Sequence, residues 1–125
     1  MIHLDTSFLI RALLRDSQED RAMRGWLRTG QPLAMSAIGW AEFLCGPVDA
    51  RSVGLASRIV ADRLPFTEED AVSAARLFNL VGRRRGSLTD CMIAATALRL
   101  GASLATANLP DFRRLETTGL RLIRG

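Results

Sequence analysis

The chain has 125 residues, a 48% hydrophobic fraction, 17 arginines, 13 acidic residues and a formal charge of +4. That length and composition suit one domain, residues 1–125, with a core of its own, and no stretch approaches a membrane span. Lysine is absent, which excludes a P-loop and Schiff-base catalysis in their usual forms.

Ile2–Leu4 reads as a first strand running into Asp5, and Ser7–Leu14 as a short helix. Ser17 and Asp20 form a capping pattern for a second helix that ends near Gly30. Pro32–Met35 fits a buried strand, and Ser36 caps a helix that stops at Cys45-Gly46-Pro47. Ala50–Arg63 follows as a helix, then Leu64–Phe66 as a very short strand. Thr67 and Asp70 open a helix whose apolar face would be Val72, Ala75, Leu77, Phe78 and Leu80, ending in Arg83-Arg84-Arg85-Gly86. Ser87 opens another, which stops at Gly101. Ala102–Thr106 and Leu120–Ile123 read as the last two strands.

Short apolar strands alternating with helices predict an α/β fold with a short, mostly parallel sheet between helical layers. Ligands in such folds sit outside the carboxyl ends of the strands. Asp5 stands at one of those ends. An aspartate there also caps a helix, so the position alone does not decide between cap and site.

Other carboxylates share the anomaly. Glu42 is the lone charge between Thr29 and Val48, in the almost wholly apolar AIGWAEFLCG. An all-apolar helix predicts burial, and a buried carboxylate needs a partner or a cation. Asp90 is likewise the lone charge from Ser87 to Leu98, although a helix dipole also favours an acid in a first turn. Thr106, Asn108 and Asp111 follow the fourth strand in LATANLPDF, an ordinary loop composition. Three carboxylates about 5 Å apart repel by about 3 kcal/mol per pair at an effective dielectric of 20, so such a cluster calls for a counter-ion. Oxygen donors without His or Cys point to Mg²⁺ or Mn²⁺. His3, the sole histidine, reads by strand alternation as turned away from the Asp5 side, a packed or rim residue and not a ligand. Cys45 and Cys91 read as small buried residues of a cytoplasmic protein.

DTSFLI at the start, the lone glutamate, DxxIAATAL at Asp90–Leu98 and TxNxxDF at Thr106–Phe112 together resemble a PIN-domain ribonuclease. End-to-end coverage makes the chain similar to the toxin subunits of VapBC-type toxin–antitoxin pairs. The resemblance implies a three-layer α/β/α fold and Asp5, Glu42 and Asp90 as acidic ligands of Mg²⁺ or Mn²⁺. Asp111 would supply the fourth acid, with Asn108 a neutral ligand or supporting group. Thr6 and Ser7 would support the first aspartate, with Thr106 beside them. It also implies an RNA substrate, a homodimer, and an antitoxin that blocks the pocket with a basic side chain. Arg83, Arg84, Arg85, Arg113 and Arg114 are candidate phosphate contacts. The rival readings are a non-catalytic PIN-like RNA-binding module and a metal-dependent nuclease acting on DNA.

Overall fold

A computed structural model describes residues 1–84 and 87–123. Five parallel strands, β1 (Ile2–Leu4), β2 (Leu33–Ser36), β3 (Asp62–Leu64), β4 (Ser103–Ala105) and β5 (Leu122–Ile123), form one sheet in the order β3-β2-β1-β4-β5. The helices are α1 (Thr6–Ala12), α2 (Gln18–Arg28), α3 (Ala37–Cys45), α4 (Ala50–Ile59), α5 (Glu68–Leu80), α6 (Leu88–Arg99) and α7 (Leu109–Phe112), with a 3₁₀ turn over Arg113–Thr118.

Both faces of the sheet are covered, as parallel strands require. Ile2, Leu4, Leu33 and Met35 pack with Phe8 and Leu9 of α1, Met23 of α2, Phe43 of α3 and Ala56 of α4. Leu104 packs with Ala74 and Leu77 of α5, Ile93, Ala94 and Ala97 of α6, and Phe112 of α7. The fold is therefore three-layered α/β/α. Phe8 stacks on Trp26 at 5.4 Å, which ties α1 to α2.

Several boundaries differ from the sequence reading, each for a physical reason. Helix α4 stops at Ile59, and the third strand lies at Asp62–Leu64 rather than Leu64–Phe66. It is an edge strand, so Asp62 and Arg63 are exposed and carry no apolar signal. Helix α5 buries Asp70, Ala74 and Leu77, whereas Val72 and Leu80 are 57% and 61% exposed, so the buried stripe is rotated from the predicted one. Cys91 is buried as predicted, but Cys45 is exposed.

Helix α3 departs most from expectation. Its sequence is apolar all round, yet only Gly39 and Phe43 are buried, and Leu44 and Glu42 stand exposed. Gly39 is the close point: a Cβ there would come within 3.3 Å of Met35 Cε and 3.6 Å of Thr6 Oγ1. The bare backbone lets α3 lie against the start of α1, which sets where Glu42 stands.

Candidate active site

Strand order reverses at β1: β2 and β3 lie to one side of it, β4 and β5 to the other. The crevice at such a reversal, at the strands' carboxyl ends, is where open α/β sheets place ligands. Asp5 leaves β1 there and Thr106 leaves β4. The Asp5 N–H donates to Ala105 O at 3.0 Å, and Thr106 Oγ1 donates to Asp5 Oδ2 at 2.7 Å.

Asp5 is both cap and site residue. Its Oδ1 accepts the Phe8 N–H of α1 at 2.8 Å and the Ser7 hydroxyl at 2.7 Å. The two supporting hydroxyls are themselves fixed by the loop after β4. Ala107 N–H donates to Ser7 Oγ at 3.3 Å, and Asn108 N–H to Thr106 Oγ1 at 2.9 Å. Each hydroxyl is thus turned to give its proton to the carboxylate. Burial nevertheless pushes the Asp5 carboxyl up, overcoming those hydrogen bonds, and the Glu42 charge pushes the same way.

Thr6 serves a different acid from the one expected. Its hydroxyl points to Glu42 Oε1 at 2.9 Å and to Gly39 O at 3.0 Å, one proton between two acceptors. It therefore orients Glu42 and pins α3 to α1, and makes no contact with the Asp5 carboxylate among the described hydrogen bonds. Glu42 is exposed, so the expectation of a buried carboxylate fails: α3 lies on the surface.

Asp90, in the first turn of α6, completes the acidic set. A cleft of about 260 Å³ is lined by Asp5, Thr6, Ser7, Ile10, Glu42, Asp90, Ile93, Asn108 and Phe112. Burial raises the Asp90 carboxyl to about 7, and the charges of Asp111, Asp5 and Glu42 add to the rise. Asn108, not Asp111, lines this cleft. Asp111 stands behind it, accepting a hydrogen bond from Asn108 Nδ2. The loop read after β4 is in fact the short helix α7, with Pro110 in its first turn.

Among the described residues, no three acidic, histidine or cysteine side chains already enclose one point as a metal cage would. Asp5, Asp90, Glu42 and Asn108 instead offer an open set of hard oxygens. That suits Mg²⁺, which keeps several waters and uses one or two carboxylates, better than an ion needing a full protein cage.

His3 plays no part in the cleft. It pairs in register with Leu104, is fully buried, and neither ring nitrogen has a hydrogen-bond partner among the described residues. Strand alternation cannot be what separates it from Asp5, because residues two apart share a face; Asp5 has already left the strand. Burial lowers the His3 pKa to about 4, helped by the N-terminal charge and Arg99.

These two groups give opposed pH windows. The folded pKa of Asp90, about 7, lies above its ordinary 3.8, so its contribution is full below 3.8 and is lost as pH rises through 7. The folded pKa of His3, about 4, lies below 6.5, so its contribution is full above 6.5 and is lost as pH falls toward 4. In EDTA buffer, Asp90→Asn should therefore gain about 2 kcal/mol over wild type at pH 8 and lose that advantage by pH 4. Urea unfolding at both values checks this; a constant difference would assign Asp90 a purely structural role.

Of the arginines singled out in the sequence, Arg84 and Arg114 border a narrow cleft together with Asp90 and Asp111. Arg83 lies over the Phe78 ring at 5.6 Å and donates to Asn79 Oδ1 at 2.8 Å. Arg113 borders a separate cleft with Leu109, Glu116 and Leu122. Arg85 lies outside the described residues. Sequence reasoning missed the apolar lining of the acidic cleft, Ile10, Ile93 and Phe112, whose side chains look like ordinary core residues in the sequence.

A five-stranded parallel sheet with acidic side chains gathered at its switch point defines a three-layer α/β/α domain with a candidate cation site. The PIN domain family profile matches residues 2–117, and the chain belongs to that family. A curated relative, ribonuclease VapC1 of Rickettsia felis, is 40% identical over 55 residues, covering 42% of this chain and 41% of the relative. The match thus spans less than half of either protein. Three solved structures share the fold over nearly the whole chain. VapBC2 of Rickettsia felis bound to a promoter DNA fragment has a TM-score of 0.78 at 20% identity, covering 100% of this chain and 99% of that one. VapBC-1 of nontypeable Haemophilus influenzae has a TM-score of 0.72 at 26% identity, covering 99% and 98%. The FitAcB structure from Neisseria gonorrhoeae has a TM-score of 0.71 at 23% identity, covering 98% and 96%. Among the described residues no helix is long and apolar enough to cross a membrane.

Proposed function

We propose that this chain is a divalent-metal-dependent endoribonuclease and the toxin of a type II toxin–antitoxin pair. The observation that carries the reading is the convergence of Asp5, Glu42, Asp90 and Asn108 on one cleft at the sheet's switch point, in a PIN domain. Asp5, Asp90 and Asn108 would hold Mg²⁺ or Mn²⁺, with Asp111 steadying Asn108. Such an ion, when bound, lowers the pKa of water and offsets charge developing at phosphorus.

The chain's own groups do the rest. Thr6 holds Glu42 by Oε1, and Oε2 has no partner among the described hydrogen bonds. Glu42 Oε2 accepts a proton from the attacking water, whose oxygen bonds to phosphorus as the P–O3′ bond breaks. The 3′-oxygen takes up a proton from solvent, leaving a 3′-hydroxyl and a 5′-phosphate. Ser7 and Thr106 keep Asp5 oriented by donating to both its oxygens.

The reading includes a homodimer. Helix α3 has the composition of a buried helix and yet exposes Ala41, Leu44 and Cys45, a face that a second copy would cover. Leu44→Glu should shift the protein from dimer to monomer in size-exclusion chromatography with light scattering; an unchanged mass would place the contact elsewhere. For the antitoxin, a groove of about 570 Å³ between α1, α2 and α4 offers an apolar floor of Leu27, Leu55 and Ile59, rimmed by Arg15, Arg24 and Arg51. An acidic amphipathic helix matches that shape and charge.

Incubation with RNA, single-stranded DNA and a chromogenic phosphate ester, with Mn²⁺ or with EDTA, tests the activity. RNA cleavage that EDTA abolishes supports the proposal. Preferential cutting of DNA favours the DNA nuclease, and RNA binding without cleavage favours the non-catalytic module.

A further inference from the structure

An acidic cleft repels the polyanion it is proposed to cut, so the strand needs cationic contacts beside the cleft and outside it. Asp90 stands at the boundary between two clefts. On one side it faces Asp5 and Glu42; on the other, with Asp111, it borders the narrow cleft whose rim carries Arg84 and Arg114. That second cleft, about 10 Å³, has room for roughly one water, so a phosphate cannot enter it. Arg84 and Arg114 are both exposed.

Among the described residues these arginines form no ion pair. The three bridges among the described residues are Arg11–Glu19, Arg24–Asp20 and Arg99–Asp70. Among the described residues Arg114 makes one long side-chain contact, Nη1 to Val81 O at 3.5 Å, which leaves most of its donors open there. Arg83 and Arg113 differ: the first is held against Phe78 and Asn79, and the second borders a cleft with Glu116. Among the described residues the arginine clusters of the sequence therefore divide by position: Arg84 and Arg114 border the cleft with Asp90 and Asp111, and Arg83 and Arg113 do not.

We propose that Arg84 and Arg114 are a phosphate-binding pair that grips the RNA backbone phosphate next to the one cut at Asp90, and that Arg83 and Arg113 take no part. The inference rests on the reading of the acidic cleft as the site of RNA cleavage. Guanidinium forks suit this task because each can give two parallel N–H bonds to phosphate oxygens.

Fluorescence anisotropy of a labelled single-stranded RNA in EDTA buffer, across a salt series, tests the pair apart from the reaction. The log–log salt slope changes by about 0.7 per phosphate neutralised on a single strand. Arg84→Gln with Arg114→Gln should flatten the slope by about 0.7 and weaken binding about tenfold at low salt. Arg84→Lys with Arg114→Lys, which keeps the charge, should restore most of the slope. Arg83→Gln with Arg113→Gln should leave slope and affinity at wild-type values, and circular dichroism confirms that each variant is folded. An unchanged slope in the Arg84/Arg114 variant, or an equal loss in the Arg83/Arg113 variant, overturns the pair. Cleavage in Mn²⁺ is scored separately. RNA binding that depends on the pair, without cleavage in wild type, would sink the nuclease reading and leave the phosphate site standing.

Discussion

Asp5→Asn and Asp90→Asn should each reduce RNA cleavage by about 10²–10³-fold, because each removes a carboxylate that would hold the cation stabilising charge at the reacting phosphate. Neither should unfold the chain. Asparagine still caps α1 in place of Asp5, since its carbonyl can accept the Phe8 N–H. At Asp90 the substitution removes a carboxylate already pushed up to about 7 by burial and by Asp111, Asp5 and Glu42. Losing that charge relieves repulsion, so activity and metal-free stability should move in opposite directions. Single-turnover cleavage and urea unfolding on the same preparations show whether they do. A variant that loses activity and several kcal/mol together would make its acid a structural residue.

The largest stability loss should come from Asp70, which lies away from the acidic cleft. Asp70 is 1% exposed, and its Oδ1 accepts from Arg99 Nε at 2.8 Å. Its Oδ2 accepts from Arg99 Nη2 at 3.2 Å, Thr96 Oγ1 at 3.0 Å and the Thr67 N–H at 3.1 Å. Burial alone would raise this carboxyl, but the Arg99 hydrogen bonds, the Thr67 N–H and the Thr96 hydroxyl bring it below the usual range. The cluster clamps α5 to α6, the helix that carries Asp90. Asp70→Asn should cost about 3–5 kcal/mol, because it leaves the Arg99 guanidinium partly buried and without its counter-charge. Thr67→Ala, which removes only the cap hydroxyl, should cost about 1 kcal/mol. Asp70→Leu combined with Arg99→Leu should recover part of the loss. Urea midpoints of the three variants rank them; a loss for Asp70→Asn no larger than for Thr67→Ala would show that the pair contributes little.

What the sequence made legible follows from these energies. Asp5 and Asp90 stood out because each is a lone charge beside apolar runs, and the alternation of strands and helices placed them at one sheet edge. The central strands β1 and β2 were readable because both are buried on two faces. Edge strand β3 was misplaced because its Asp62 and Arg63 face solvent, and α7 was hidden by Pro110 and its four-residue length. Glu42 was expected to be buried because α3 has no polar face, whereas the isolated chain leaves that side open. Asp70 was recognisable as a cap residue, but nothing in local spacing links it to Arg99, 29 residues on. The split between Arg84 and Arg83 was equally invisible: adjacent residues share a sequence signal and part company only when the chain turns after α5.

Mn²⁺ binding followed by isothermal titration calorimetry tests the central claim most directly, because it asks for the ion without asking for the reaction. Wild type should bind Mn²⁺ saturably, and Asp90→Asn should bind it about 10–100-fold more weakly while Asp70-bearing helix packing, read by circular dichroism, stays intact. Identical isotherms for the two proteins, or no binding heat in wild type at millimolar Mn²⁺, would contradict a divalent-metal site at Asp5, Asp90 and Asn108.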